Sequence, residues 1–290
     1  MQITRRDISN RGLWRIGTVD VRNASSRPGA EQVQDEHILV FPIAGVFAKH
    51  VTPRQRVVGT SSDAVLISAD QPYRLSYPAG IGDRCLTIRF SDEAAAELMP
   101  AAASRLACPR ATVLMSAAMM VMRNLIWRRS QSDNWDDLEL DELGGWLAED
   151  ALALIQAHTP DHQRPFSSSR WRLEIIKEAV ASDPAIKWRL SDLGKVANVS
   201  PYHLSKIFRK TLGTTVYDYV LRARLALALE LLVDTELDLT AIAFEAGFSS
   251  HSHFSARFRA FFGLTPTAFR RAATSADIRE MRRIVTAARH

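Results

Sequence analysis

The chain has 290 residues, of which 47% are apolar and 24% are charged, a balance that excludes a disordered or collagen-like chain. This length suits one large globular domain or two ordinary ones. No run reaches the roughly 18 consecutive apolar residues of a membrane span, and residues 1–20 lack the apolar core of a signal peptide. We therefore expect a soluble, cytoplasmic protein with no membrane partner.

Positive charge is concentrated in the C-terminal part of the chain. Residues 1–165 hold 18 basic and 20 acidic side chains, whereas residues 166–290 hold 19 basic and 12 acidic ones, a net charge of +7. A basic surface on one part of a protein suggests a polyanionic partner such as nucleic acid or anionic lipid.

The sequence contains no recognisable catalytic motif. Cys85 and Cys108 lie in separate segments without the spacing of a disulfide framework or a zinc module. There is no phosphate-binding glycine loop, and no nucleophile has a His and an Asp at a matching spacing. We predict that the chain is not an enzyme and has no catalytic residue, no cofactor and no metal.

Residues 37–90 consist of short apolar runs, rich in β-branched and aromatic residues, that alternate with turn signals. Such runs predict an all-β unit, either a sandwich or a small barrel. Helical spacing follows at residues 91–106, 111–129 and 136–158. The predicted fold class is therefore α+β, with an N-terminal β-barrel or β-sandwich followed by helices.

Four aromatic residues of this β unit are candidates for the wall of a small-molecule pocket: Phe41, Phe47, Tyr73 and Tyr77. Aromatic side chains are common in ligand cavities. The alternative is that all four are ordinary core residues.

The last of the three predicted helices carries an apolar stripe at heptad-like intervals along one face. The stripe consists of Leu140, Leu143, Leu147, Ala151 and Leu154. It either packs on its own domain or forms the interface of a homodimer, as symmetric dimers commonly do.

Residues 159–169 contain two prolines and three consecutive serines, which is the composition of a linker. We therefore divide the chain into an N-terminal domain at residues 1–158, a linker at 159–170, an all-helical domain at 171–273 and a tail at 274–290. The tail has apolar residues among arginines and is predicted to be either a docked helix or a frayed one.

The C-terminal part contains an internal repeat. Residues 190–200 match residues 239–249, and the similarity resumes after one inserted residue, where Phe208 corresponds to Phe258. Each copy predicts a short helix, a tight turn and a second helix, the order of a helix-turn-helix unit.

Local signals support both copies. Ser191 and Thr240 are the predicted caps of the first helices, and Asn198 and Gly247 are the predicted turn residues because both readily adopt left-handed backbone geometry. The second helix of the first copy is predicted to start at Ser200, before a proline suited to the first helical position. In the second copy, Ser249 and Ser250 are the residues predicted to start the second helix.

The second helix of each copy has an apolar side and a polar side. Leu204, Ile207 and Phe208 face inward in the first copy, and Phe254 and Phe258 do so in the second. The polar side of such a helix fits the DNA major groove, where base edges display distinguishable donors and acceptors.

Residues 215–234 join the two copies and are apolar on two sides of a predicted helix about 30 Å long. We expect one helix-turn-helix unit to pack on each side. Because one turn of B-DNA is about 34 Å, such a connector would hold the two second helices in successive major grooves on one face of the duplex.

Residues 247–259 (GFSSHSHFSARFR) and 262–270 (FGLTPTAFR) resemble the signature of AraC/XylS-type transcriptional regulators. The resemblance covers residues 171–271, and residues 63–90 resemble, more loosely, the cupin-type sensing domain of many such regulators. It implies a bacterial regulator that binds double-stranded DNA sequence-specifically, either as an activator in contact with RNA polymerase or as a repressor. It also implies an N-terminal cupin-like domain that binds a small-molecule effector, forms a homodimer, or does both.

The resemblance assigns base contacts to the polar sides of the two second helices. These positions are Tyr202, Ser205, Lys206, His251, Ser252, Ser255 and Ala256. Lys206 can donate to guanine O6 and N7 or to a phosphate, whereas Ala256 offers only a methyl group where many relatives have a polar residue. The alternative for the first of these helices is an ordinary solvated surface.

Five cations near these helices are the predicted phosphate contacts by their charge and position: Arg209, Lys210, Arg259, Arg270 and Arg271. The alternative for each is a solvated side chain without a role in binding.

Two other functions stay open from the sequence. One is a cupin-type enzyme with an appended basic helical module, although residues 37–90 contain only His37 and His50. His251 and His253 form a His-x-His pattern, but side chains two apart on a helix point about 200° from each other and cannot share an ion. The other function is that of an effector-free regulator whose N-terminal domain only dimerises.

Overall fold

The computed structural model describes residues 1–11, 13–52, 55–80, 82–98, 112–131, 137–158, 168–274 and 284. Within these ranges the strands are β1 (Gln2–Arg11), β2 (Trp14–Arg22), β3 (His37–Thr52), β4 (Gln55–Thr60), β5 (Asp63–Ile67), β6 (Arg74–Ser76), β7 (Gly82–Phe90) and β8 (Thr112–Leu114). The helices are α1 (Asp92–Leu98), α2 (Ala117–Ser130), α3 (Asp137–His158), α4 (Ser168–Ser182), α5 (Leu190–Val196), α6 (Pro201–Leu212), α7 (Val216–Asp234), α8 (Leu239–Glu245), α9 (His251–Phe262) and α10 (Pro266–Thr274). Most of the predicted linker, most of the C-terminal tail and Cys108 lie outside the described residues. No helix within the described ranges is long and apolar enough to cross a membrane.

The strands form an antiparallel sheet in which β3 belongs to two layers. The first half of β3 pairs with β7 and β5, and its second half pairs with β4 and β6. The larger layer has the strand order β1-β2-β7-β3-β5-β8. β3 changes layers at an irregularity between Pro42 and Ala44, next to Gly45, whose φ of +78° is left-handed geometry that glycine adopts readily. The predicted β unit and the α+β class are confirmed.

Strands β1 and β2 extend the β unit to residues 2–22, outside the predicted range of 37–90. β1 lies at the edge of the sheet and residues 2–7 are exposed, so its sequence has no buried apolar run to identify it. At the start of the helix predicted for residues 111–129, the structure has strand β8 instead. Helix α2 begins only at Ala117, where Ser116 Oγ accepts a hydrogen bond of 3.2 Å from the Met119 N–H. The prediction of one continuous helix there is wrong.

Side chains of β3 and β7 alternate between the two faces of the sheet. Leu39, Leu86 and Ile88 join a core with α2 and α3, whereas Val40 and Cys85 belong to a smaller apolar cluster on the opposite face. The sheet therefore has a helix side, which contains the larger core, and a side that borders a cavity.

The apolar stripe of α3 packs within its own chain. Its buried members are Leu140, Leu143, Leu147 and Ala151, and Leu154 is partly buried against the same core. The helix lies close to the sheet, since a Cβ at Gly145 would come within 2.4 Å of the Trp14 ring. The first interpretation of the stripe, packing on its own domain, is confirmed, and homodimer formation stays a prediction.

Helix α7 joins the two helical repeats and divides its contacts along its length. Residues of its N-terminal half, from Val216 to Ala223, pack with α4, α5 and α6. Residues of its C-terminal half, from Leu225 to Val233, join the core that contains α2, α3, α8, α9 and α10. The predicted connector helix is confirmed. The two units, however, pack on opposite ends of the helix and not on two opposite sides of it. Its 19 residues span about 28 Å, which gives each unit its own segment.

A buried charged cluster joins α4 to the β unit. The Val58 N–H donates to Glu174 Oε2 at 2.7 Å, and Lys177 Nζ donates to the Val58 carbonyl oxygen at 2.7 Å. Lys177 also pairs with Asp63 at 3.2 Å, and the three charged side chains are at most 2% exposed. We call Val58, Asp63, Glu174 and Lys177 the α4 clamp. The clamp holds α4 against strand β4 through the backbone N–H and the carbonyl oxygen of Val58.

A second ion-pair group ties α7 to strand β7. Arg84 donates from Nη2 to Glu230 Oε1 and from Nη1 to Asp234 Oδ2, each at 2.7 Å. The same guanidinium lies over the Trp127 ring, 5.5 Å from its centroid. Burial raises the pKa of Glu230, and the charge of Arg84 opposes that rise. The N-terminal and C-terminal parts are thus joined both at α4 and at the C-terminal end of α7.

Lys177→Met tests the α4 clamp. The variant leaves the buried carboxylates of Asp63 and Glu174 without their cation, so we expect the free energy of unfolding to fall by about 3–5 kcal/mol. Urea unfolding followed by circular dichroism measures the change. The control is Lys195→Met, which removes an exposed cation 4.0 Å from Asp192 and is expected to change stability little. Equal stability of Lys177→Met and the natural chain would contradict a structural role of the clamp.

Candidate nucleic-acid interface and ligand cavity

The two helix-turn-helix units have the same turn geometry. Asn198 has φ +53° and Gly247 has φ +78°, so both predicted turn residues are in the left-handed conformation. In each copy the residue after the turn donates its N–H to the carbonyl oxygen five residues earlier, at 2.9 Å in the first copy and 2.8 Å in the second. The repeat in the sequence is therefore a repeat in structure.

The second helices, α6 and α9, also begin and end alike. Ser200 Oγ accepts a hydrogen bond from the His203 N–H at 3.2 Å, and Ser250 Oγ accepts one from the His253 N–H at 3.1 Å. Each helix is followed by a glycine in the left-handed conformation, with φ +68° after α6 and +73° after α9. The predicted starts of both second helices are confirmed.

The first helices, α5 and α8, begin earlier than predicted. α5 follows Arg189, whose side chain makes no capping hydrogen bond, and α8 follows Asp238, whose carboxylate accepts a backbone hydrogen bond of 2.7 Å. Ser191 and Thr240 lie within the first turns of these helices, so their prediction as caps is wrong. In the second copy the carboxylate of Asp238, two residues before Thr240, accepts the hydrogen bond from the Ala241 N–H.

The polar side of α6 faces solvent. Tyr202 is 80% exposed, Lys206 is exposed and Ser205 is half-buried. The Ser205 hydroxyl donates to the Pro201 carbonyl oxygen at 3.1 Å, which leaves its own oxygen able to accept. The opposite side is buried as predicted, through Leu204, Ile207 and Phe208. The three predicted base-contacting residues of α6 therefore lie on one accessible surface.

The polar side of α9 is accessible in the same way. His251, Ser252 and Ala256 are exposed, and Ser255 is half-buried with its hydroxyl 3.3 Å from His251 Nε2. The inward residues Phe254 and Phe258 are buried, as predicted. All seven predicted base-contacting residues thus lie on the exposed sides of the two second helices.

The predicted phosphate contacts differ in their surroundings. Arg209, Lys210, Arg259 and Arg271 are exposed. The Arg270 guanidinium donates to the carbonyl oxygens of Leu232 and Leu237, at 3.4 Å and 2.7 Å, and so holds the C-terminal end of α7. The structure gives Arg270 a role in the fold that its charge alone does not reveal.

Arg257 is an exposed cation of α9 that the predicted contacts do not include. Its Nε lies 3.5 Å from His253 Nε2, one helical turn earlier. Its position in the first copy is occupied by the buried Ile207, so the repeat alignment gives no reason to choose it. The signal in the sequence that identifies it is its positive charge on the second helix of the second copy.

A loop between α4 and α5, residues 183–189, contacts both helix-turn-helix units. Arg224 of α7 donates to the carbonyl oxygens of Pro184 and Ile186, each at 3.0 Å. The turn of the second unit touches the same loop, since a Cβ at Gly247 would lie 2.6 Å from the Ala185 carbonyl oxygen. Helix α7 and this loop together fix the position of one unit relative to the other.

Gly247→Ala tests this contact. The left-handed backbone alone costs a residue with a Cβ about 1–2 kcal/mol, and the approach to Ala185 adds to that cost. We therefore expect a clear loss of thermal stability, measured by circular dichroism. The matched control is Gly213→Ala, which adds a Cβ to a glycine at φ +68° where no atom lies within 4 Å, so it carries only the backbone cost. Equal losses in the two variants would show that the contact with the loop is unimportant.

A cavity of about 560 Å³, its open mouth included, lies on the side of the sheet opposite the helices. Its apolar walls are Val19, Val21, Ile38, Val40, Phe47, Ile67, Tyr73, Leu75, Tyr77 and Cys85, and its polar walls are Arg5, Gln32, Gln34, Asp83, Thr87 and Arg89. Three of the four predicted pocket residues, Phe47, Tyr73 and Tyr77, therefore line the cavity. Phe41 lies in the core on the helix side because side chains alternate along β3, and its prediction as a pocket wall is wrong.

Burial shapes the ionisation of the cavity walls. It raises the pKa of Tyr73, and a hydrogen bond of 3.1 Å from Gln34 and the charges of Arg5 and Arg89 oppose the rise. Burial also raises the pKa of Asp83 from 3.8 to about 6, although Cys85 Sγ donates a hydrogen bond to its carboxylate.

Asp83→Asn tests this effect on stability. Because the pKa in the folded chain, about 6, lies above the ordinary 3.8, the stability contributed by the neutral acid is present below pH 4 and lost as the pH rises through 6. We expect Asp83→Asn to gain stability relative to the natural chain at pH 8, by up to about 3 kcal/mol, and much less at pH 4. Urea unfolding at the two pH values measures the difference. A difference that does not change with pH would contradict a buried, titrating Asp83.

Within the described ranges no group of three His, Cys, Asp or Glu side chains is arranged to hold a metal ion. His251 and His253 contact different serines, Ser255 and Ser249. His50 is hydrogen-bonded to Ser76 at 2.8 Å, and burial lowers its pKa.

The C-terminal helices match a known sequence family. The family, described as a helix-turn-helix domain, matches residues 193–272. That range contains all of α6, α7, α8 and α9, and therefore both second helices.

Related proteins are named as regulators of transcription. The Msm operon regulatory protein of Streptococcus mutans is 31% identical over 120 residues, which cover 41% of this chain and 43% of that protein. An AraC-like transcription regulator of Streptomyces lividans is 31% identical over 114 residues, 37% of this chain and 38% of that protein. A solved structure from Chromobacterium violaceum, a transcriptional regulator of the AraC-type DNA-binding class, is 28% identical and covers 38% of this chain and 97% of that chain, with a TM-score of 0.36. The matched residues span less than half the length of the two related proteins.

Proposed function

We propose that this chain, which belongs to the AraC/XylS family of transcriptional regulators, binds double-stranded DNA sequence-specifically and controls transcription in response to a small molecule. Residues 171–273 form its DNA-binding domain, residues 1–158 its sensing and dimerisation domain, and residues 159–170 the linker. The observation that carries the proposal is the structural repeat, in which two helix-turn-helix units of the same geometry each expose the polar side of their second helix.

The packing of both units on one rigid helix supports simultaneous binding. Successive major grooves on one face of B-DNA lie about 34 Å apart, and the two units pack on opposite halves of α7, which spans about 28 Å. Because the loop at residues 183–189 contacts both units, their spacing is set before DNA is bound. A site of two short base sequences about one helical turn apart is therefore the expected target.

Base recognition rests on α6 and α9. Lys206 and Tyr202 are the exposed donors at the N-terminal half of α6, where a recognition helix approaches the base edges. On α9 the exposed group is smaller, with His251, Ser252 and the methyl of Ala256. The first unit therefore contributes more to sequence preference than the second.

Backbone binding rests on the cations around these helices. Arg209, Lys210, Arg259 and Arg271 are the proposed phosphate contacts, and Arg257 joins them. Arg270 holds the end of α7 and contributes mainly through the fold. Each phosphate contact adds about −0.9 to the slope of log affinity against log salt.

The path from the cavity to the DNA-binding domain supports a sensing role. A Cβ at Gly59 would lie 2.5 Å from the ring of Phe47, a cavity wall, and the next residue on β4, Val58, belongs to the α4 clamp. On β7, Asp83 and Cys85 line the cavity, and Arg84 between them pairs with α7. A ligand that moves these strands therefore acts directly on the helices that hold the two units. Homodimer formation and contact with RNA polymerase are parts of the same proposal.

Selection of bound duplexes from a random DNA library tests the function and returns the site. Specific sites are bound at least about a thousandfold more tightly than unrelated DNA, so the selected duplex is then competed against random duplex. We expect that ratio and a steep fall of affinity with salt. A ratio near one would refute sequence-specific regulation.

Lys206→Ala and Lys210→Ala test the assignment of base and phosphate contacts against each other. Lys206→Ala is expected to relax the preference at one or two base pairs, with a discrimination loss of about 1–3 kcal/mol there. Lys210→Ala is expected to weaken binding to all sequences alike and to reduce the salt slope by about 1. Titrations of the selected and random duplexes at several salt concentrations measure both. The opposite pattern would reverse the two roles.

A further inference from the structure

The cavity has an apolar part and a positively charged part. Arg5 and Arg89 both line it, and both charges act on the Tyr73 phenol, where they oppose the rise in pKa that burial causes. The same phenol oxygen accepts a hydrogen bond of 3.1 Å from Gln34. Positive charge and hydrogen-bonding groups therefore converge near Tyr73, while Phe47 lies among the apolar walls.

Arg89 faces the cavity because side chains alternate along β7. Every second residue from Asp83 onward, through Cys85 and Thr87, lines the same space. Its Nε is buried and donates to no acceptor in the described part of the chain. A buried guanidinium N–H without an acceptor is unfavourable, so this nitrogen is suited to a ligand that brings an acceptor.

Arg15, a neighbour of Arg89 on the next strand, differs from Arg89 in having an ion-pair partner. Arg15 is the cross-strand partner of Arg89, and its guanidinium is paired with Glu36. Among the described residues Arg89 has no carboxylate of this kind, and neither has Arg5 on the edge strand. Neither cation of the cavity is therefore ion-paired with a carboxylate of the described ranges, although Asp83 lies in the same wall.

We propose that the cavity binds an ionised hydrophobic carboxylic acid, with the carboxylate held by Arg89 and Arg5 and the apolar body packed against Phe47 and the aliphatic walls. The planar guanidinium group matches a carboxylate through two parallel N–H···O bonds. A second negative charge on the ligand is disfavoured by Asp83 in the same wall. This inference rests on the proposed sensing function and names the class of its effector.

Three probes with the same apolar body test the charge requirement: 4-phenylbutanoate, 4-phenylbutan-1-ol and 4-phenylbutylamine. Isothermal titration calorimetry with the full chain measures the dissociation constant of each. We expect the acid to bind at least about tenfold more tightly than the alcohol, and the amine to bind more weakly than the alcohol. Equal affinities for acid and alcohol, or no binding of the acid, would overturn the proposal.

Arg89→Gln separates charge recognition from the shape of the cavity. We expect the variant to weaken binding of the acid at least about tenfold and to leave the affinity for the alcohol unchanged, which also shows that the cavity is still folded. The control is Arg22→Gln on β2, whose exposed guanidinium is paired with Asp20 and does not line the cavity. An equal loss for acid and alcohol in Arg89→Gln would overturn the role given to Arg89.

Selection of a DNA site, made separately without any probe, distinguishes this inference from the proposed function. A specific DNA site together with no binding of the acid overturns the ligand class and leaves the regulator intact. Binding of the acid that depends on Arg89 supports the ligand class even where no specific DNA site is found, and in that case the regulatory function fails.

Discussion

The placement of the C-terminal helices against the β unit depends on one buried lysine. Lys177 lies between the carboxylates of Asp63 and Glu174 and donates to the Val58 carbonyl oxygen. None of these charges is stable in the interior alone, since a buried ion requires both a compensating charge and hydrogen bonds. The cluster therefore forms only when α4 lies against β4, and the first helix-turn-helix unit is held to the β unit in one defined position.

Two further contacts complete a closed arrangement around this cluster. Arg84 holds the C-terminal end of α7 to strand β7, and the loop at residues 183–189 holds the first unit to the second. Each contact joins a different pair of elements, so the β unit, the first unit and the second unit are each connected to the other two. The orientation of α6 and α9 is consequently a property of the whole chain and not of the C-terminal helices alone.

The C-terminal domain could be predicted well from the sequence because its determinants are local. The turn residues Asn198 and Gly247 and the cap at Ser200 act on their immediate neighbours, and the inward aromatic residues repeat at helical spacing. The predicted caps Ser191 and Thr240 failed because several neighbouring residues can start a helix, and the choice among them depends on backbone geometry. Periodicity therefore locates a helix more reliably than its first residue.

The contacts between the two halves could not be predicted in this way. Val58 and Glu174 are more than a hundred residues apart in sequence, and nothing in either segment identifies the other. Arg270 is likewise an ordinary cation in the sequence, and only the structure shows that it binds the carbonyl oxygens at the end of α7. The edge strand β1, exposed along residues 2–7, lacks the apolar pattern that identified the inner strands. Phe41 was placed on the wrong face because composition does not fix the phase of alternation along a strand.

Strand β7 carries opposite chemistry on its two faces, with Asp83 and Cys85 toward the cavity and Arg84 toward α7. A slip of one residue in its pairing with β3 would exchange these faces. It would push a guanidinium into the cavity and leave either an acid or a thiol opposite Glu230. A shifted register of β7 is therefore unfavourable on both faces of the sheet, and this strand helps to fix the strand pairing as the chain folds.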